Sequence, residues 1–217
     1  MEPLRGPRLR SPARLALLTV VALLLTASPA AAATTLQIGT VVRLASNEQC
    51  VNGFTVEDHL LLPPDCVPRA AGVSPLGVAV LGAGGETIAR ITGVSRAFVL
   101  ATQVPGATVT RVPVVRHTGT RITGATAAGI GKRVCVLSQV NGTVCGPVVA
   151  LNRTVNWAEG TVTGLSELRV CASGPWNWAP VVDGSLAVGH VLGGAGCSLY
   201  FLPIAPLLAG SGLRLVV

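Results

Sequence analysis

The sequence predicts an all-β, exported protein, and three features of its 217 residues carry that expectation. Past position 33 the apolar residues come in short runs broken by turn formers, with 26 Gly and 15 Pro in the chain. That is the spacing of short antiparallel strands rather than of helices. Hydrophobic residues make up 50% and charged ones 12%, about half the usual charged share, so a chain of this length can bury a substantial core. All six cysteines, at 50, 66, 135, 145, 171 and 197, lie beyond the first 33 residues, and an even count in an exported chain reads as disulfides.

The export signal itself is residues 1–33. Arg5, Arg8, Arg10 and Arg14 precede an apolar run over residues 15–27, and small residues follow to Ala33. The run is short for a transmembrane helix, and cleavage after Ala32 or Ala33 satisfies the small-x-small rule. The predicted location is therefore extracellular, free or at the cell surface, with no membrane span once the signal is removed. Removing Glu2 with those four arginines takes the formal net charge from +7 to +4. The remaining basic residues are scattered and aromatics are few, so the electrostatic and stacking footprint of a nucleic-acid binder is missing.

The strand-like pieces can be taken in order. Residues 34–50 open with an alternation and end in polar turn formers. Residues 50–66 read CVNGFTVEDHLLLPPDC, with His59 inside an apolar strand segment. Residues 67–116 are Gly-rich, with the apolar pieces GVAVLG, TIARITGV, AFVLAT and TVTRVPVV. A polar break at residues 116–121 is a candidate boundary. Asn141-Gly142 supplies a favoured hairpin turn between Cys135 and Cys145. The tail ends in the strand-like LRLVV after Pro203 and Pro206. No C-x-x-C occurs, and His59, His117 and His190 have no ligand-like spacing. No metal or other cofactor is expected.

Residues 134–185 carry the most specific pattern. The run Cys171-Ala-Ser-Gly-Pro-Trp-Asn-Trp-Ala-Pro180 resembles, at both ends and in register, the C-A-E-P-G-D-S-G-G-P-like serine segment of the secreted bacterial chymotrypsin-like serine proteases of the streptogrisin and alpha-lytic type. Cys50, Gly53, Phe54, Val56 and Cys66 are similar to the segment leading to that family's catalytic histidine. The resemblance implies two six-stranded antiparallel β-barrels, over residues 34–118 and 119–217. It also implies three sequential disulfides: Cys50 with Cys66, Cys135 with Cys145, and Cys171 with Cys197.

The same alignment puts other residues at the family's chemical positions. Asp65 falls at the general base, where a carboxylate cannot shuttle a proton near neutrality as imidazole does. Ala97 falls at the aspartate. Asn177 falls at the nucleophile, and an amide has no activatable hydroxyl. Pro175 stands where an oxyanion-hole N–H is needed, and proline has none. Ser173 would need a four-residue slip and still lacks a base. The expectation is a non-enzymatic, monomeric homologue that binds an extracellular peptide or protein or serves a structural role outside the cell, with a hydrolase using unrecognised residues as the alternative. Leu192, Gly193 and Gly194 are similar to the strand edge that pairs with substrate in the family, and backbone pairing needs no catalytic group. Trp176 and Trp178 either fill space around a lost centre or build an aromatic ligand surface.

Overall fold

The computed structural model describes residues 33–67, 74–171, 174–176 and 178–217. The first 32 residues of the expected export signal, together with Ser173 and Asn177, lie outside the described residues. Eight strands come from the first half: β1 (Thr34–Ile38), β2 (Val41–Leu44), β3 (Gln49–Val51), β4 (His59–Leu62), β5 (Ala79–Leu81), β6 (Thr87–Val94), β7 (Val99–Gln103) and β8 (Val109–Val115). Strands β2 to β7 form a six-stranded sheet in the order β3-β2-β5-β6-β7-β4, a nearly closed barrel. Alternation drives it: Val42 and Leu44 point inward from β2 between exposed Val41 and Arg43. With Leu60, Leu62, Val80, Ile88, Ile91 and Val99 they make one core.

Seven strands follow: β9 (Gly124–Ala125), β10 (Arg133–Ser138), β11 (Gly142–Trp157), β12 (Gly160–Arg169), β13 (Pro180–Asp183), β14 (Leu186–Ala195) and β15 (Ser198–Pro203). Their order is β13-β10-β11-β12-β15-β14-β9, and a further β13–β14 pairing closes six of them into a ring. Val134, Val136, Leu168, Val181, Val188 and Phe201 fill it. A third cluster draws Ile38, Phe54, Val56, Leu61 and Val115 together with Leu137, Trp178, Val182 and Ala187. It joins the two halves through apolar burial, the dominant favourable term in folding.

Two pairings depart from the expected antiparallel pattern. β1 runs parallel to β8, and β9 runs parallel to β14. Parallel neighbours need long connections, and both pairs have them, because a whole set of strands or a linker intervenes in sequence. The tail adds a helix ahead of LRLVV: α1 (Ile204–Ser211) buries Ile204 and Leu207 and stops at Gly212, whose φ of 64° is the left-handed cap geometry that glycine tolerates. LRLVV itself is strand-like as expected, with Leu215 forming an antiparallel bridge to Val56. The last residues then run as a strap, with Val216 N–H donating to the Thr55 carbonyl at 2.9 Å and Glu57 N–H to the Arg214 carbonyl at 2.9 Å.

Disulfides join Cys50 to Cys66, Cys135 to Cys145 and Cys171 to Cys197. Cys135 and Cys145 lie directly opposite each other on β10 and β11. The connection between those strands is residues 139–141, capped by the Ser138 hydroxyl, which accepts from the N–H groups of Val140 at 3.3 Å and Asn141 at 3.0 Å. Replacing both Cys135 and Cys145 with Ala should lower unfolding free energy by roughly 2 to 3 kcal/mol, the chain-entropy scale for a short loop. A denaturant titration reads this as a lower midpoint, and an unchanged midpoint would show that the hairpin is held by its turn and ladder alone.

Candidate functional site

A cavity of about 620 Å³ draws its walls from four places. The turn after β4 gives Pro63, Pro64, Asp65 and Val67, and the β6–β7 turn gives Arg96. The tip of the β11–β12 hairpin gives Trp157, Glu159 and Gly160. The last wall is Pro175, Trp176 and Trp178 with Leu192, Gly193 and Gly194 of β14. All five residues marked by sequence as a binding surface therefore line one cavity. Beyond Val191, whose N–H bonds the Ala179 carbonyl at 3.0 Å, β14 pairs only with β15, so its other edge at residues 192–194 meets no strand among the described residues.

The tryptophans are more buried than a ligand surface would be. Trp176 is 7% exposed and Trp178 3%. Trp178 holds a φ of 62°, a left-handed conformation that costs a bulky residue about 1 to 3 kcal/mol. The surrounding packing compensates: its indole stacks on the His190 ring at 4.4 Å and 7°, and Phe54 contacts that ring at 4.5 Å. Space-filling is thus the better account of Trp178. Trp157, which sequence reasoning passed over, is half-buried and presents its indole 3.8 Å from where a Cβ on Gly193 would sit. Its signal was available in a Trp at the end of an alternating run, next to a turn with Glu159 and Gly160.

His190 is fully buried and has no catalytic freedom. Its Nε2 accepts from the Phe54 N–H at 2.9 Å, and its Nδ1 lies 3.0 Å from the Trp178 carbonyl, to which it donates in the matching neutral tautomer. Burial pushes its pKa down to about 3, against a smaller upward pull from the Trp178 carbonyl. His59 starts β4 with its Nδ1 2.9 Å from the Glu57 carbonyl, on the exposed side of the strand. Neither imidazole lines the cavity.

Of the positions aligned with the family's chemical groups, Asp65 is exposed on the cavity wall. Ala97 sits half-buried in the β6–β7 turn, its N–H donating to the Ser95 hydroxyl at 3.2 Å. Pro175 turns its carbonyl to the Asn141 side-chain amide at 3.0 Å. Asn177 falls outside the described residues. No group of His, Cys, Asp or Glu among the described residues is arranged to hold a metal ion.

Known structures share this fold. Protease A of Thermobifida fusca is 28% identical, covering 84% of this chain and 100% of that one with a TM-score of 0.65. Chymotrypsin of Cellulomonas bogoriensis is 27% identical, covering 83% and 99% with a TM-score of 0.65. Streptogrisin-C of Streptomyces griseus is 39% identical over 100 residues. The chain is similar in sequence and in fold to the chymotrypsin-like serine proteases. The match to Streptogrisin-C spans 44% of this chain and 22% of that protein, so the chain covers about a fifth of that relative's length. No protein-family model matches the chain.

This likeness corrects one expectation. Sequence reasoning expected a chain without enzymatic activity, whereas the protease relatives point to a protease. The expectation turned four aligned positions, Asp65, Ala97, Asn177 and Pro175, into a statement about chemistry. Matching Cys171 and Pro180 in register aligns the residues between them, but it does not fix which side chains can reach a bound peptide.

Proposed function

We propose that the chain holds an extended peptide along the Leu192–Gly194 edge and hydrolyses it, with the chemistry carried by groups other than Asp65, Ala97 and Asn177 acting in the family's triad roles. In this reading those three positions no longer hold a working His-Asp-Ser set, and Pro175 removes one oxyanion donor. One observation carries the binding half. The unpaired β14 edge opens into a cavity of about 620 Å³ with indoles on its walls, and edge pairing with flanking pockets is how β-rich proteins take extended peptides. The protease relatives support the hydrolytic half. The reading also makes the protein an exported one whose residues 34–118 and 119–217 act as two barrels around the cleft.

The test is to incubate the purified protein with a mixed library of extended peptides and to follow both complex formation and new amino termini by mass spectrometry. Peptides retained with new termini are the expected result. Retention without any new terminus over a day would remove the hydrolytic half, and no retention at all would remove both. Labelling by a fluorophosphonate is expected at a serine, which excludes Asn177 as the labelled site.

A further inference from the structure

Strand β1 begins against a carboxylate that pairs with no cation among the described residues. Thr34, its first residue, is 5% exposed, while Ala33 before it is exposed. The Thr34 hydroxyl donates to Glu86 Oε1 across the β5–β6 turn, and the Thr34 N–H donates to the Thr108 carbonyl at 3.1 Å. The turn is shaped to this contact. Gly82 N–H donates to the Glu86 carbonyl at 2.8 Å, and a Cβ on Gly82 would overlap both the Thr34 hydroxyl and the Glu86 carboxylate. The Thr34 hydroxyl also holds the Glu86 carboxyl below its ordinary pKa, so the group is charged near neutrality. Yet the ion pairs among the described residues are Lys132 with Asp183, Arg153 with Glu167 and Arg214 with Glu57, and Glu86 is in none of them.

We infer that the chain is cut between Ala33 and Thr34 and that the α-ammonium group so formed docks on the Glu86 carboxylate. This rests on the export reading, which left a cut after Ala32 or after Ala33 open. Hydrolysis of that peptide bond consumes one water, ends the leader in the Ala33 carboxylate and leaves Thr34 with an ammonium group. The amide nitrogen has one hydrogen, already given to the Thr108 carbonyl, whereas an ammonium has three, and two remain for Glu86. Only three covalent bonds separate that nitrogen from the Thr34 hydroxyl oxygen, which already touches Glu86 Oε1, so the carboxylate reaches it by a small side-chain rotation. A bond between an ammonium and a carboxylate is stronger than one between a hydroxyl and a carboxylate. A cut after Ala32 would set the charge on exposed Ala33, one residue further from Glu86. Docking ties down the free end of β1, which as an untethered chain terminus would fray.

The experiment expresses the full chain in a secreting bacterial host, purifies the protein from the medium and reads its first residue by intact mass and N-terminal sequencing. Thr34 is the expected first residue. Lys132 is the only lysine of the chain, so acylation with a small amine reagent near neutral pH reports just two amines. Lys132, paired with Asp183, serves as the internal standard between parent and variants. A neighbouring carboxylate favours the charged amine, and each unit of upward shift is about a ten-fold drop in the reactive free base. The α-amine of the folded protein should therefore react about ten-fold more slowly than that of the urea-unfolded protein, a comparison that needs no variant. Glu86→Gln should remove most of this protection and leave Lys132 unchanged. In Thr34→Ala the protection should persist, because the ammonium rather than the hydroxyl holds the carboxylate. An α-amine on Thr34 that reacts equally fast folded and unfolded, or no faster in Glu86→Gln, overturns the docking while leaving export in place. A different first residue in the secreted protein does the same, and a chain that stays uncut overturns the export reading and the inference with it.

Discussion

Trp178→Ala should destabilise the fold by about 3 to 5 kcal/mol, the scale for truncating a large buried aromatic. The indole is 3% exposed and stacked flat on His190, so its removal leaves a void against an imidazole that is itself fully buried. The reverse lesion comes from the other side of the stack. A Cβ on Gly53 would lie 2.6 Å from Trp178 Nε1 and 2.7 Å from His190 Nε2. Both rings are buried and stacked on each other, so Gly53→Ala should cost roughly 1 to 3 kcal/mol by overpacking. Chemical denaturation reads both. A Gly53→Ala midpoint equal to the parent's would mean that the stack is looser than these distances imply. Because Trp178 serves the core, loss of peptide binding in a Trp178 variant would report misfolding rather than a lost contact.

Stability should fall as the solution is acidified from pH 7 to pH 5, by about 2 kcal/mol from His190 alone. The folded pKa of this residue is about 3, below its ordinary value of 6.5. The unfolded chain therefore takes up the proton first. The neutral-histidine contribution is fully present above pH 6.5 and is lost progressively as pH falls toward the folded value. Protonation of the folded form would also turn Nε2 from acceptor to donor, setting it against the Phe54 N–H. Urea midpoints measured across that range test this, with His190→Gln as the control that should lose most of the slope whatever its absolute stability. A parent protein whose midpoint is flat from pH 7 to pH 5 would show that His190 is not locked in the neutral form.

The sequence by itself determined the strands, because period-2 burial is written residue by residue, as in Val41 to Leu44, and turn formers mark where each run ends. Cysteine spacing together with the family resemblance was enough for the three disulfides, since Cys135 and Cys145 flank a turn that puts them face to face. The edge at Leu192, Gly193 and Gly194 was legible too, because a strand edge is a backbone property and survives changes of side chain. Tertiary structure decided what depends on distant partners. His190 and Phe54 are 136 residues apart in sequence, and nothing local told that the imidazole would be sealed between Phe54 and Trp178. The same holds for the cavity wall, where Asp65, Arg96 and Glu159 come from three separate turns. Charge at one position is read from sequence, but whether it meets a partner is set only when the chain folds.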